Sequence, residues 1–579
     1  LQIKLIGKDK NTQAVGAQIK IYAGDQTFYI EQMPNRGFES SVDPKLTIGL
    51  GEIKTLDKIK VLWPDGSYSE LENIPAVPLS EGQNFFDQPE LPFFHKEDAQ
   101  EIDFKHEENS MVDFDRDRLT FHMFSTEGPA FAKGDVNRDG IDDLFFGGAK
   151  GYPGKLYLGS TSGNYNLSGQ EALKGDSISE DTDALFFDAN GDGALDLIVA
   201  SGGNESGLGA SELTDRLYLN DGKGNFTKSQ QQGFNANRVS TSSIQILDLN
   251  LDGAPDLFIG GRLVPFVYGA PASSSIWIND GQGKFTDQTS ALAPELKEIG
   301  MITDVKVVDW DNDGNDDLVL VGEWLAPVFF KNTGGKLQKI EMPELQNLKG
   351  WFRTLEVADL DGNGFPDLIL GNNGLNSRFK VSENTPVKMY LNDFDQNGSI
   401  EHIFIRQEGE LQVPYTLKHE LERQIPSVKK RYMRYSNYNN EMLSDIFPQE
   451  VLDKSIISEV NNLTSGVLMN EGSGKFTWKP FSRMAQRSFV FAVQTVDLNG
   501  DGYLDLILGG NLFNAKPEVG KYDASYGEVL LGKGDGTFDY RPNSKHGLKL
   551  DGDIRAFSDL GQGRLLVVKN NAAAEIWKY

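Results

Sequence analysis

Short apolar runs, separated by polar and glycine-rich stretches, recur along most of this chain. LFFGG at Leu144, LIVASGG at Leu197 and LFIGG at Leu257 have the length of buried strands rather than of helices. A second kind of run, such as KLYLG at Lys155 and RLYLN at Arg216, leads into a glycine-containing turn, which is typical of a β-hairpin. The pattern therefore predicts an all-β protein with many short strands.

Seven of the apolar runs follow directly on acidic loops that share the pattern D-x-[DN]-x-[DN]-G-x-x-[DE]. Positions 1, 3, 5 and 9 of each loop are the predicted metal ligands. In chain order, loops one to seven supply Asp135, Asn137, Asp139 and Asp143; Asp188, Asn190, Asp192 and Asp196; Asp248, Asn250, Asp252 and Asp256; Asp309, Asp311, Asp313 and Asp317; Asp359, Asp361, Asn363 and Asp367; Asp393, Asp395, Asn397 and Glu401; and Asp497, Asn499, Asp501 and Asp505. The sevenfold recurrence indicates a structural repeat.

The spacing suits a divalent cation that is bound by oxygen. Side chains at positions 1, 3 and 5 point into a tight turn, glycine at position 6 permits the turn, and the carboxylate at position 9 closes the cage. Oxygen ligands in a flexible loop favour Ca²⁺ over Mg²⁺, which requires a stricter octahedron, and over Zn²⁺, which prefers imidazole or thiolate. We expect up to seven Ca²⁺ ions. The alternative is a set of Asx-rich turns that bind no metal, and this alternative is strongest for loop six.

The EF-hand is a rival interpretation, because its calcium loop begins with the same spacing. An EF-hand requires a glutamate at position 12 and an exiting helix. Position 12 is instead apolar in every loop: Phe146, Val199, Ile259, Leu320, Leu370, Phe404 and Leu508. These residues lie inside strand-like runs, so the loops are expected to join strands.

The composition narrows the classes of function. The chain has 579 residues, a formal net charge of −29 and no cysteine, which excludes disulfides, thiolate metal sites and cysteine nucleophiles. Such acidity argues against nucleic acid as a partner, since phosphates would be repelled. No stretch approaches the ~20 apolar residues of a transmembrane helix. Because the first residue is leucine and no signal sequence is visible, we expect a mature form or a fragment, and the missing signal says nothing about the compartment. The precursor is expected to carry a signal peptide or to be a lipoprotein precursor.

One repeating unit consists of a strand, an acidic loop, a second strand and a hairpin. The first five units start roughly 50–60 residues apart, a period that is typical of four-stranded β-propeller blades. A last unit, DIRAFSDLGQGRLLVVKNN followed by EIWKY, has lost its acidic ligands. Counting unit starts gives eight and counting closing hairpins gives seven. The prediction is a seven- or eight-bladed propeller over residues 115–579.

These repeats resemble the FG-GAP/VCBS family of calcium-binding propeller repeats, and FIGG at Phe258 preserves part of its motif. Residues 1–78, with VGAQIKIYAG at Val15 and IKVLWPDGSYSEL at Ile59, resemble the ASPIC/UnbV module, a small β domain. This module usually follows a propeller. Its place at the start implies another propeller upstream, in a longer protein of which this chain is the C-terminal part. Residues 79–114, rich in proline and acid, are predicted to be a linker.

Residues 406–465 break the repeat. They have helical character and contain no acidic loop. The segment is basic and aromatic, with Tyr415, Lys418, His419, Arg423, Lys429, Lys430, Arg431, Tyr432, Arg434 and Tyr435. In an acidic protein such an island is a candidate site for a protein partner or an anionic glycan. The alternative is a helical insertion packed on one propeller face, with its lysines and arginines in solvent.

The resemblance implies a non-catalytic, calcium-stabilised propeller that binds a glycan or a protein outside the cell. The paired modules resemble envelope proteins of Bacteroidota-type bacteria, which implies association with the outer membrane and an accessory role in an uptake complex. A structural subunit of an outer-membrane protein complex would show the same sequence features.

An enzyme is the alternative from another class, namely a polysaccharide lyase or hydrolase on a calcium propeller. Its base would be His419, Tyr415 or Lys418, close to a bound Ca²⁺. The six histidines show no catalytic spacing, and no phosphate loop or nucleophile elbow is present. His106 is expected to make a contact at a blade edge and not to bind metal.

Overall fold

The computed structural model describes residues 1–8, 10–24, 26–37, 40–41, 43–51, 53, 55–75, 93–97, 102–231, 234, 239–472 and 474–579. The chain forms two compact units, Leu1–Phe93 with Arg541–Gly547 and Phe94–Tyr540 with Leu548–Tyr579. Among the described residues, no helix combines the length and the apolar composition that a membrane span requires.

The first unit contains a four-stranded antiparallel sheet and two small two-stranded sheets. Its strands are β1 Gln2–Ile3, β2 Gln18–Ala23, β3 Gln26–Glu31, β4 Asn35–Gly37, β5 Ser40–Ser41, β6 Leu46–Thr47, β7 Thr55–Leu62 and β8 Tyr68–Pro75. The four-stranded sheet has the order β3-β2-β7-β8, while β1 pairs with β6 and β4 with β5. Alternate residues Ile19, Ile21, Ile59 and Val61 are buried in its core, as expected for a sheet with one face in water.

The second unit contains seven sheets, here called blades one to seven, that follow one another along the chain; blade four has five strands and the other six blades have four. The strands of the unit are β9 His95–Lys96, β10 Phe131–Gly134, β11 Asp143–Phe146, β12 Lys155–Gly159, β13 Tyr165–Ser168, β14 Glu180–Phe187, β15 Asp196–Gly202, β16 Arg216–Asn220, β17 Phe226–Lys228, β18 Ser240–Leu247, β19 Asp256–Leu263, β20 Ser275–Asn279, β21 Phe285–Asp287, β22 Met301–Val307, β23 Leu318–Leu325, β24 Val328–Asn332, β25 Leu337–Ile340, β26 Gly350–Trp351, β27 Thr354–Ala358 and β28 Asp367–Gly371. The list continues with β29 Val387–Asn392, β30 Glu401–Glu408, β31 Leu411–Pro414, β32 Ile456–Val460, β33 Gly466–Asn470, β34 Phe476–Pro480, β35 Val490–Val496, β36 Asp505–Gly510, β37 Glu528–Gly532, β38 Phe538–Arg541, β39 Asp553–Asp559, β40 Arg564–Asn570 and β41 Glu575–Lys578.

Blades one to four are β10–β13, β14–β17, β18–β21 and β22–β25, with β26 added to β23. Blade five has the order β27-β28-β33-β34, blade six is β35–β38, and blade seven has the order β39-β40-β41-β9. The helices are short: α1 Glu171–Lys174, α2 Thr289–Leu292, α3 Lys418–Gln424, α4 Ser427–Arg431, α5 Leu443–Ile446, α6 Gln449–Leu452 and α7 Asn543–His546.

The seven blades close into a ring. β9 pairs with β41, with Lys96 opposite Trp577, so blade seven takes its outer strand from the start of the unit. The rings of Phe104 and Phe146 stack at 4.1 Å and belong to a hydrophobic cluster that includes Leu566 of blade seven. The first and last blades are therefore in contact, and the unit is a β-propeller, as predicted.

The gaps between blades are filled by side chains from both neighbours. Phe145 of blade one, for example, lies in one cluster with Leu197 and Tyr218 of blade two. Burying each such side chain stabilises the fold by about 1.5–3 kcal/mol. Blade one covers one face of β15 and blade three covers the other. All seven residues of Asp196–Gly202 are therefore buried, which explains the apolar runs after the acidic loops.

The blade count resolves to seven. The strands on either side of loop six, β29 and β30, form a separate sheet of order β31-β30-β29-β32. In blade five, β28 pairs directly with β33, with Leu370 opposite Gly466. Loop six therefore starts an inserted sheet and not an eighth blade.

The insertion is longer than residues 406–465. The chain leaves blade five after Gly371 and returns at Gly466. Helices α3 to α6 lie in the predicted segment, but they pack on the inserted sheet, where Leu421 and Ile446 share a hydrophobic cluster with Ile403. Of the predicted linker 79–114, residues 79–92 and 98–101 lie outside the described residues.

Candidate metal centres

All seven acidic loops adopt the same tight turn. The glycine at position 6 has a φ between +82° and +90° in each of them, a region that side chains disfavour. Position 4 is also left-handed, and in four loops it is not glycine: Arg138, Leu251, Asn312 and Gln396 have φ of +57° to +63°. The turn brings the carboxylate at position 1 across the loop. One of its oxygens accepts a hydrogen bond from the backbone N–H of position 6 at 2.8–3.0 Å.

The carboxylate at position 9 joins the loop to the sheet. It is buried in every loop because it is the residue at which the second strand of the sheet begins or, in loop four, the one just before it. In loop one, Asp143 accepts the N–H of Val136 at 3.0 Å through one oxygen and the N–H of Gly159 at 2.8 Å through the other. The second bond, from the last residue of the third strand, recurs in all six blades that carry a loop.

Burial raises the pKa of these closing carboxyls, although the backbone N–H donors partly offset the effect. The pKa rises to about 6 for Asp143, Asp196, Asp256 and Asp367, and to about 7 for Asp317 and Glu401. Neighbouring carboxylates of the same loop add to the shift. The ionised loop is therefore electrostatically unfavourable without a cation, as expected for a site that gains one.

Three loops bring carboxylates from positions 1, 3 and 9 together. In each, one oxygen per residue lies within 4.8 Å of the others, in groups Asp309, Asp311 and Asp317; Asp359, Asp361 and Asp367; and Asp393, Asp395 and Glu401. Among the described residues, the groups of this kind contain no histidine. An all-oxygen cluster of this size could hold a divalent cation.

Unpaired oxygens support a cation in loops four and six. In the described part of the chain, Asp311 Oδ1 and Asp317 Oδ2 are buried without a hydrogen-bond donor, and so are Asp395 Oδ1 and Glu401 Oε1. A buried, unpaired acceptor costs about 1–3 kcal/mol, more when charged. A metal ion between these oxygens would satisfy them, so the donor set fits the predicted group.

The remaining predicted ligands occupy equivalent places. Loops one, two, three and seven have asparagine at position 3, so positions 1, 3 and 9 supply two carboxylates and one amide instead of three carboxylates. In loop one, Asn137 Oδ1 accepts a hydrogen bond from the backbone N–H of Asp139 at 3.0 Å. Position 5 is not part of the carboxylate groups. In loop one, Asp139 Oδ1 instead accepts the N–H of Ile141 at 2.9 Å, and the same bond recurs in the other six loops.

Loop four differs from the others by a lysine. Lys331 Nζ pairs with Asp311, and lies 2.9 Å from Asp313. The hydrogen bonds to these two carboxylates raise the pKa of Lys331. The equivalent residue in blades two and three is Leu219 or Ile278. Loop four thus carries an ammonium that competes with a metal ion for two of its ligands.

Neighbouring blades are linked at these loops by asparagines that the sequence analysis did not identify. Asn220, Asn279, Asn332 and Asn470 each end the third strand of their blade and donate through Nδ2 to the position-2 carbonyl of the preceding blade's loop, at 2.7–3.2 Å. Their own backbone N–H groups bind the closing carboxylate of their own loop. Each asparagine therefore connects two successive acidic loops. The recurring final N of RLYLN and SIWIN was the available signal.

The sequence analysis also did not identify a buried ionic cluster, which is centred on Glu323 of blade four and includes residues from blades three and five. Glu323 pairs with Arg262 at 3.0 Å and with Arg353 at 2.5 Å, and accepts the hydroxyl of Tyr268 at 2.6 Å. Burial alone would raise the pKa of Glu323, but the two arginines lower it to about 2. Burial and the arginine charges lower the pKa of the adjacent His122 to about 3, so that it is neutral. The cluster comes from distant parts of the chain and leaves no local motif.

The other predicted residues have structural contacts. His106 is buried, and its Nδ1 accepts the N–H of Asn571 in blade seven at 3.1 Å. Of the candidate bases, Tyr415 is buried, Lys418 pairs with Glu422, and His419 Nδ1 contacts the hydroxyl of Tyr435.

Comparison with known families agrees with the motifs. Residues 7–78 match the family described as ASPIC and UnbV. The family described as FG-GAP-like repeat matches residues 135–199, 188–259, 266–320 and 309–370, which include loops one to five. The chain thus carries an ASPIC/UnbV module followed by FG-GAP-like repeats, as predicted.

A comparison with curated protein sequences finds no match. Among solved structures, the chain is similar to YCF48 from Cyanidioschyzon merolae, with 8% identity and a TM-score of 0.39 over 79% of this chain and 98% of that chain. It is similar to the V. cholerae biofilm matrix protein Bap1, with 11% identity and a TM-score of 0.32 over 79% and 88%. It is also similar to the Dos1 propeller, with 9% identity and a TM-score of 0.35 over 80% and 97%. At these TM-scores the similarities add nothing to the fold given by the strand pairing.

Proposed function

We propose that this chain is a non-catalytic, calcium-stabilised propeller that binds a glycan or protein ligand outside the cell. The observation that carries the proposal is the shared turn, which buries the closing carboxylate in all seven loops and, in loops four, five and six, brings it within 4.8 Å of carboxylate oxygens from positions 1 and 3. Oxygen donors on a flexible turn favour Ca²⁺, and FG-GAP-like repeats generally bind calcium.

The exposure of the loops supports an extracellular role. In loop five, Asp359 and Asp361 are exposed and only Asp367 is buried. A site that is open to water binds Ca²⁺ weakly, in the range of about 10⁻⁴–10⁻³ M that is typical of extracellular modules. Such sites would fill outside the cell, where calcium is abundant. An accessory role in an outer-membrane complex is an extension of this proposal that rests on the resemblance alone.

The lyase or hydrolase alternative receives less support. It requires a base beside a bound metal, and the carboxylate groups found in the described residues contain no histidine. Tyr415 is buried, and Lys418 is engaged by Glu422.

Thermal unfolding in EDTA, Ca²⁺ and Mg²⁺ tests the proposal. A ligand that binds only the folded chain at 100 times its Kd stabilises it by about 2.7 kcal/mol per site, so the Tm should fall in EDTA and recover with Ca²⁺ but not with equal Mg²⁺. Asp361→Ala should reduce the bound calcium by one ion. The matched control Asp221→Ala removes an exposed aspartate from a hairpin turn and should leave it unchanged. A Tm that is the same in EDTA and Ca²⁺ would refute the proposal.

A further inference from the structure

The insertion contains a pocket of about 290 Å³ between the β30–β31 hairpin, the start of α3 and residues 435–441. Ligand pockets in proteins measure about 300–1,000 Å³, so this one has room for a single ring-sized group. Its lining includes Arg378, Arg406 and Lys418. None of the acidic loops contributes to it.

The two arginines face one aromatic ring. The guanidinium carbons of Arg406 and Arg378 lie 5.2 Å and 5.7 Å from the ring centroid of Tyr415. That ring is fixed from the protein interior by Phe379, at a centroid distance of 4.9 Å. Stacking of this kind positions guanidinium groups for bidentate contact with an anion.

Most of the donors of these cations remain available. A guanidinium has five N–H donors, and among the described residues Arg406 uses only Nε, which donates to Glu408 at 2.7 Å. The nearest carboxylate to Arg378, that of Glu518, is 3.7 Å away, beyond hydrogen-bonding distance. The acidic partners therefore orient the two side chains but occupy only one of their donors, Nε of Arg406.

Several of the other lining groups suit hydroxyl groups on a ligand. The one carboxylate in the described lining, that of Glu441, accepts a hydrogen bond from the hydroxyl of Tyr432 at 2.8 Å. Thr416 is 3% exposed, and its Oγ1 has no hydrogen-bond partner among the described residues. Asn439 and Asn440 add amides. Tyr435 is 52% exposed at the pocket, with Lys418 Nζ 5.5 Å from its ring centroid. An exposed aromatic face beside hydroxyl and amide groups is suited to a ring that is apolar on one side and polar at its edge.

We propose that this pocket binds one acidic sugar residue of a polysaccharide, with its carboxylate or sulfate on Arg378 and Arg406 and its hydroxyls on Thr416 and the asparagines. This inference rests on the proposed function, because it identifies the ligand of a binding propeller. An acidic peptide would bind to the same arginines, but it would offer no hydroxyl groups to Thr416 and the two asparagines.

Isothermal titration of the calcium-loaded full chain tests the proposal. The probes are a galacturonate trisaccharide, its methyl ester, a sulfated galactan oligosaccharide and a glutamate tripeptide. The chain should bind the galacturonate or the sulfated sugar with a Kd below about 1 mM, and the tighter of the two identifies the anion. The ester and the peptide should bind at least tenfold more weakly.

Variants locate the site. Arg406→Gln should weaken binding about 10- to 100-fold, since charge-assisted hydrogen bonds are lost, and Arg406→Lys should lie between it and the wild type. Arg423→Gln is the matched control, because Arg423 is an exposed cation on α3 that does not line the pocket.

Equal binding of acid and ester, equal losses in Arg406→Gln and Arg423→Gln, tighter binding of the peptide, or no sugar binding would each overturn the proposal. The calcium-dependent Tm, measured on the same samples, reports folding of the variants and tests the proposed function separately. If that shift persists while sugars fail to bind, only the inference about the pocket is refuted.

Discussion

Calcium binding to this chain should release protons. Burial raises the pKa of the closing carboxyls to about 6 in loops one, two, three and five, so the metal-free fold keeps protons that an unfolded chain would lose at lower pH. A raised carboxyl pKa destabilises the fold above that pKa, so the metal-free chain should gain stability as pH falls from 8 to 5. Ca²⁺ binds only the ionised carboxylates, so the additional stability that Ca²⁺ confers should decrease as pH falls from 8 to 5.

The magnitude follows from competition between one proton and one ion. For a carboxyl with a pKa of about 6, the apparent calcium affinity falls about tenfold between pH 8 and pH 5, and for the pKa of about 7 at Asp317 and Glu401 it falls about 100-fold. At pH 6 each ion that binds to a loop of the first kind should release about half a proton, and at pH 8 almost none.

Isothermal titration with Ca²⁺ measures this release. The binding enthalpy is recorded at pH 6 in two buffers with different ionisation enthalpies, and their difference gives the protons released per ion. The same titration at pH 8 is the control, because the carboxyls are then already ionised. The difference in Tm between Ca²⁺ and EDTA should also shrink as pH falls. A buffer-independent enthalpy at pH 6 would show that the closing carboxyls are not calcium ligands.

Three further predictions concern single side chains. Asn279→Ala removes two hydrogen bonds from Nδ2, to the carbonyls of Ala189 and Pro255, and should cost about 1–3 kcal/mol. Faster hydrogen exchange should be confined to blades two and three; uniform acceleration in all blades would contradict the link. Lys331→Met should strengthen calcium binding at loop four severalfold, because the ammonium no longer competes for Asp311; an unchanged affinity would exclude that competition. Glu323→Gln leaves Arg353 buried without its counter-charge, which should cost about 3–5 kcal/mol, while Arg262 keeps its ion pair with Glu127 at 3.1 Å. A loss under about 1 kcal/mol in urea unfolding would refute the role of the cluster.

The acidic loops and the strands after them could be predicted because their information is local. An aspartate, a glycine five residues later and a carboxylate at position 9 define one turn by spacing alone, and the turn is the same in all seven loops. The basic island was also visible in the sequence. That Tyr415 is a buried ring between arginines was not, since Arg378 lies outside the segment that the pattern marked.

The sequence by itself determined the repeat, the turn chemistry and the two kinds of module, because each depends on residues a few positions apart. The tertiary structure decided which strands pair. Only it shows that Leu370 lies opposite Gly466, and so that loop six belongs to an inserted sheet and the ring has seven blades. Only it brings Glu323 to its arginines and the strand-end asparagines to the preceding loop. These contacts join residues that are far apart in the chain, and their energies depend on packing and burial that no local spacing encodes.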